Sequence, residues 1–222
     1  MKRILISVEG QTEETFVRDV LAPHLESFKV YPTSVIISTG TMRQGNKYRG
    51  GGASYGKVKN EVVRLLKDTH AVAISTMYDL YKLPTDFPGF AARPTGDCFQ
   101  KAAYLESKFR EEIADPRFRP YLQVHEFEAF LFVNPEITAR VFSKDDKLKE
   151  LARIKSGFNS PEEINDGVTT APSKRILSLF PNYEKPLYGA LVVVKVGLDA
   201  IRAECPHFNE WLTWLEGLGM EE

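Results

Sequence analysis

Lys2-Arg-Ile-Leu-Ile-Ser-Val-Glu-Gly-Gln-Thr-Glu-Glu14, or KRILISVEGQTEE in single letters, changes character in its middle. Ile4 to Val8 is a short, β-rich and nearly all apolar run, which suits a strand covered on both faces of a parallel sheet. The run stops at Glu9-Gly10. Thr12 then offers an N-cap oxygen, and Phe16, Val17, Val20, Leu21 and Leu25 recur at helical spacing, predicting a helix from about residue 12 to about 28.

The same alternation continues outward. Ser34-Val-Ile-Ile-Ser38 reads as a second strand, and Val58, Val62, Val63, Leu65 and Leu66 mark a second helix. Ala71 to Met77 is the third strand, closing on Tyr78-Asp79. A helix fills about 95 to 114, and Tyr121-Leu-Gln-Val124 is the fourth strand, ending at His125-Glu126. A dozen or more residues between strands indicate βαβ crossovers, so the fold class is α/β with a mainly parallel sheet flanked by helices. Beyond Phe132 the strand signal fades into short helices broken by Pro135, Pro161, Pro172, Pro181, Pro186 and Pro206. Leu191 to Val196 fits a strand or a helix, and the face through Leu191, Val194, Leu198 and Ile201 favours helix. The expected division is an α/β core over 1–132 and a helical C-terminal part over 133–222 packed on it, or one domain throughout.

Composition narrows the function classes. With 222 residues the chain can bury a sizeable core, and 29 basic against 30 acidic residues give a net charge of −1. Global charge therefore selects no partner, and a nucleic-acid contact would need a local basic patch. Cys98 and Cys205 form no C-x-x-C pair and read as reduced thiols of a cytoplasmic protein. The apolar run after the basic start is too short for a signal peptide, and no segment approaches the roughly 18 apolar residues of a membrane helix. His24, His70, His125 and His207 show neither H-E-x-x-H nor a Cys/His spacing, which disfavours zinc.

Ligands of parallel α/β sheets bind at the carboxyl ends of the strands. Glu9, Asp79 and Glu126 each follow a predicted strand, so three carboxylates from distant sequence are expected on one edge, with Glu13 and Glu128 able to join them. Clustered carboxylates repel unless a cation neutralises them, and an all-oxygen acidic site suits Mg²⁺ or Mn²⁺. Each acid alone has a plainer reading, since acids in first helical turns favour the positive end of the helix dipole. Glu126 and Glu128 also fit the start of an amphipathic helix whose core residues are Phe127, Phe130 and Leu131.

These residues carry a resemblance. VEGQTE directly after the first strand, MYDLYKLPTDFPG after the third, QVHEFEAFLF, TAPSKRI and CPHFNEWL together resemble a bacterial domain-of-unknown-function family of Toprim-like fold. The likeness runs over nearly the whole chain. Toprim domains occur in topoisomerases, primases and overcoming-lysogenization-defect (OLD) nucleases, so the resemblance implies a compact parallel sheet bearing a Mg²⁺-dependent acidic site for nucleic-acid phosphates. It assigns the glutamate after strand one to Glu9 and the acid four residues on, as in OLD-type nucleases, to Glu13. The D-x-D pair after the third strand is matched only at Asp79, because position 81 is Tyr81, and Glu126 or Glu128 is left to supply the second carboxylate.

Two cationic stretches stand beside the acids. Gly40 to Asn60 holds Arg43, Lys47, Arg49, Lys57 and Lys59 without an acid, interleaved with Tyr48 and Tyr55. Such a loop can neutralise phosphates and stack bases, or can be a solvated connection. It is no Walker A loop, because Gly56-Lys57 is followed by Val58. In Thr169-Thr-Ala-Pro-Ser-Lys-Arg175, Pro172 suits a first helical turn, which places Lys174 and Arg175 near an anion-attracting N-terminus; the plain alternative is Thr170 as N-cap with two solvated cations.

The expected function is a Mg²⁺- or Mn²⁺-dependent phosphodiesterase or nuclease acting on DNA or RNA, with Glu9, Asp79 and Glu126 catalytic and Glu13 and Glu128 completing the metal shell. The competing expectation is a non-catalytic Toprim-like module that partners an ABC-type ATPase encoded nearby, which Tyr81 in place of an acid favours. An antiphage or DNA-repair setting follows by analogy for either.

Overall fold

The computed structural model describes residues 1–37, 54–164, 167 and 169–220. Among them, β1 (Lys2–Val8), β2 (Val30–Ile36), β3 (Ala71–Asp79), β4 (Phe118–Arg119) and β5 (Leu122–Gln123) form one all-parallel sheet in the order β2-β1-β3-β4, with β5 also paired to β3. The α/β class expected from the alternation is the one observed. β1 is central because its sequence is apolar on both faces: Ile4, Ile6 and Val8 enter one apolar cluster with Phe16, Phe208 and Trp211. Leu5 enters the other with Val62, Leu65 and Phe109. The first cluster thus draws on the N-terminal strands and on the last helices alike.

β2 begins four residues earlier than the sequence suggests. Tyr31-Pro32-Thr33 looks turn-like, but β2 is the edge strand, where a proline lacking an N–H is tolerated. The fourth strand is divided. Pro120 interrupts it, and the hydroxyl of Thr76 in β3 bridges the gap, donating to Tyr121 O at 2.9 Å and accepting from Tyr121 N at 3.1 Å.

The helix after Glu9 is α1 (Gln11–Phe16), a π turn over Val17–Leu21, and α2 (Ala22–Glu26). Its cap differs from the expectation: Gly10 is the N-cap without a side-chain bond, and Thr12 is buried inside the first turn. The π turn lies just before Pro23, which has no N–H for the carbonyl four residues back, and a widened turn absorbs that mismatch. α3 (Tyr55–Leu66) and α4 (Cys98–Ile113) cover the Leu5 face.

The C-terminal part is α5 (Pro135–Val141), α6 (Leu148–Ser156), α7 (Pro172–Leu179), α8 (Ala190–Val196), α9 (Leu198–Glu204) and α10 (Pro206–Gly217), and Leu191 to Val196 is helical as expected. The prolines start helices as well as separating them: Pro135, Pro172 and Pro206 each stand in a first turn, where no N–H is needed. Among the described residues no helix is long and apolar enough to cross a membrane.

Candidate functional site

β1 and β3 run side by side with Val8 opposite Met77, so their carboxyl ends deliver Glu9 and Asp79 to the same place. Glu9 Oε1 accepts the Asp79 N–H at 3.1 Å. Asp79 Oδ1 accepts the Phe127 N–H at 2.8 Å, which ties the start of the HEFEA segment to the end of β3. Asp79, Glu13, Glu126 and Glu128 are all buried, and Glu9 is partly exposed.

A lysine stands among them. Lys185, 106 residues from Asp79, places its ammonium 2.9 Å from Glu13 Oε1, 3.1 Å from Asp79 Oδ2 and 3.4 Å from Glu128 Oε2. Lys82 reaches Asp79 Oδ2 at 3.5 Å from the solvent side, and Tyr183 donates to Glu128 Oε1 at 3.3 Å. The Lys185 ammonium lies 5.5 Å from the centre of the Phe127 ring. Burial disfavours its charge, yet Asp79, Glu128 and Glu13 together hold its pKa well above the ordinary lysine value. Burial, reinforced by repulsion from Asp79, pushes Glu9 up to about 8. Burial likewise raises Glu128, against the pull of Lys185.

Glu126 faces elsewhere within the same region. Both its oxygens are taken by Ser173 in the first turn of α7, Oε2 by the backbone N–H and Oε1 by the hydroxyl, each at 2.9 Å. The anion at this helix N-terminus is thus the protein's own carboxylate. Glu128, two residues on, is the acid of HEFEA that meets Lys185. Lys174 is exposed on α7, whereas Arg175 turns inward to donate to Thr170 O at 2.7 Å and lies 5.7 Å from the Phe158 ring. Thr170 does not cap α7; Ala171 is the N-cap. Lys57 is exposed in the first turn of α3, while Arg43, Lys47 and Arg49 lie outside the described residues.

The donor chemistry fits a hard divalent cation. Every candidate donor is oxygen, and the buried Glu13 Oε1 and Glu128 Oε2 are held by ion pairs to the Lys185 ammonium, a cation in the place a metal would take. Among the described residues, no group of three or more His, Cys, Asp or Glu side chains is placed to hold a metal ion as it stands. Lys185 holds the central position.

Sequence reasoning missed Lys185, Tyr183 and Ser173. Lys185 has no local signature, since it opens a π turn over Lys185–Gly189, just before Pro186 and far along the chain from every strand. Ser173 carried a signal: it follows a first-turn proline, so its N–H is one of the unpaired donors of a helix start.

A family model, Domain of unknown function (DUF4276), matches residues 8–216. The chain belongs to the DUF4276 family. No curated protein matches this DUF4276 chain. Two solved structures are similar to it. The C-terminal region of the Burkholderia pseudomallei OLD protein is 15% identical over 99% of both chains, with a TM-score of 0.48. The C-terminal region of the Xanthomonas campestris pv. campestris OLD protein is 16% identical over 96% of this chain and 95% of its own, with a TM-score of 0.39.

Proposed function

We propose that this protein is a Mg²⁺- or Mn²⁺-dependent phosphodiesterase acting on nucleic acid, with its site at the carboxyl edge of β1 and β3. One observation carries the reading: buried carboxylates from three separate segments, Glu13, Asp79 and Glu128, surround a single ammonium, with Glu9 beside them. Burying so much like charge is costly for a fold and needs a return in chemistry. The Toprim resemblance of VEGQTE and MYD supports the same assignment.

Glu9, Asp79, Glu13 and Glu128 would hold the metal. When bound, Mg²⁺ or Mn²⁺ supplies charge against a phosphate oxygen and raises the acidity of water. Glu9, with its pKa near 8, carries a proton at neutral pH until a cation or a rise in pH removes it, so it suits proton transfer at the mouth of the site. Lys185 offers a fixed positive charge to a phosphoryl group that enters. Glu126, bound to Ser173, positions α7 against the HEFEA segment.

The test is nicking of supercoiled plasmid and of labelled DNA and RNA oligonucleotides with Mg²⁺ or Mn²⁺. Wild-type protein should cut and Glu9→Gln should not. Equal background activity in both would end the catalytic reading.

A second reading has its own support. Tyr81 replaces the second acid of the Toprim pattern, and Lys185 already neutralises the carboxylates, as befits a non-catalytic module that partners an ABC-type ATPase. Co-purification with an ATPase encoded beside it, without cleavage in the nicking assay, would favour this reading. Cleavage by the isolated chain would exclude it.

A further inference from the structure

A cavity of about 240 Å³ is lined by Tyr81, Phe90, Arg93, Lys101, Leu105 and His125. Two of its wall segments run along the chain directly into residues of the acidic edge. Leu80 and Tyr81 follow Asp79 directly, His125 directly precedes Glu126, and the Tyr81 N–H donates to His125 O at 2.9 Å. His125 holds a backbone φ of 59°, a left-handed conformation that a non-glycine residue adopts at an energetic cost.

The lining has a definite chemistry. It contains two cations, three rings and no carboxylate, although an acid-rich site adjoins it. The Arg93 guanidinium lies 3.9 Å above the Phe90 ring and donates to Phe90 O at 2.6 Å, so its plane is fixed as a stacking surface. Tyr81 keeps 38% of its surface exposed. Pockets for drug-sized ligands run to roughly 300–1,000 Å³, so a cavity of about 240 Å³ takes a single base, with the attached phosphate at its mouth, and excludes a base pair.

We propose that this cavity is a nucleotide subsite. An unpaired base stacks on Tyr81 and the Arg93–Phe90 platform, and its phosphate meets Arg93 and Lys101. The proposal rests on the phosphodiesterase reading and narrows its substrate class to strands that offer an unpaired nucleotide beside the scissile phosphate. It also accounts for Tyr81: where the resembling pattern has a second acid, this chain has a base-stacking ring.

Equilibrium binding in EDTA tests the subsite without requiring catalysis. Adenosine 5′-monophosphate and ribose 5-phosphate are titrated calorimetrically into wild type, Tyr81→Phe, Tyr81→Ala and Arg93→Ala. Wild type should bind the nucleotide more tightly than ribose 5-phosphate. Tyr81→Phe should retain that preference, and Tyr81→Ala should weaken nucleotide binding about fivefold or more, as for loss of one stacked base. Arg93→Ala, at an exposed position that does not threaten folding, should weaken both ligands. Nucleotide binding no tighter than that of ribose 5-phosphate, or unchanged by Tyr81→Ala, would overturn the subsite. Failure of the nicking assay would overturn the catalytic reading alone, because this measurement contains no metal and no cleavage.

Discussion

Lys185 decides the state of the acidic site residue by residue. Its ammonium is the shared counter-charge for Glu13, Asp79 and Glu128, and removing one partner of a buried ionic cluster leaves the others uncompensated. Lys185→Met keeps the length and apolar character of the stem, so it isolates the charge. Chemical denaturation should show a loss of about 3 kcal/mol for this variant in metal-free buffer. Added Mg²⁺ should then raise its thermal midpoint more than it raises that of wild type, because the ion replaces the missing charge. A Mg²⁺ shift no larger than the wild-type shift would mean that the carboxylates do not form a cation site.

Among the elements, α7 is held by its first turn. Glu126 comes from the loop after β5, and Ser173 gives it two donors, one from the backbone and one from the hydroxyl. Ser173→Ala removes the hydroxyl and spares the backbone bond. Since hydrogen bonds to charged groups contribute about 1.5–3 kcal/mol, this variant should lower the urea midpoint by the equivalent of about 2 kcal/mol with an unchanged m-value. A midpoint within error of wild type would show that α7 does not depend on Glu126. The divided fourth strand follows the same principle, since Thr76 satisfies the Tyr121 backbone where Pro120 breaks the ladder.

Over the whole molecule, pH acts through groups outside the acidic site as well as through Glu9. Glu162 is fully buried and accepts the N–H groups of His207 and Phe208 at the start of α10. Burial lifts its pKa to about 7, against 4.5 for an ordinary glutamate. Between those values the folded chain holds a proton that the unfolded chain has released, so stability falls as pH rises. Burial pulls His207 down, but its bond to Glu106 wins and raises it, so its stabilising charge is present below pH 6.5 and is lost as pH climbs through the raised value. Both contributions have the same sign, and Glu210 adds negative charge near each. The thermal midpoint should therefore decline from pH 5 to pH 8, and Glu162→Gln should flatten the decline. A wild-type midpoint that rises over this range would contradict the burial of Glu162.

The sequence by itself determined the parallel α/β sheet and the edge that receives Glu9, Asp79 and the HEFEA acids. Those features are local: apolar runs of strand length, helical spacing between them, and acids where each run stops. Strand ends shifted where pairing overrode local character, at Pro32 on the edge and at Pro120 in the broken fourth strand, and pairing also extends β1 back to Lys2 and β3 on to Asp79. Only the tertiary structure decided which carboxylates face one another and what neutralises them. Lys185 reaches Asp79 across 106 residues, Ser173 reaches Glu126 across 47, and Tyr81 forms a cavity wall with Phe90, Arg93 and Lys101. Contacts of that range impose no periodicity and no spacing on the chain. They arise when packing brings the C-terminal helices onto the sheet, which is why the strand-end reading favours Glu126 whereas Glu128 is the acid that meets Lys185 in the folded protein.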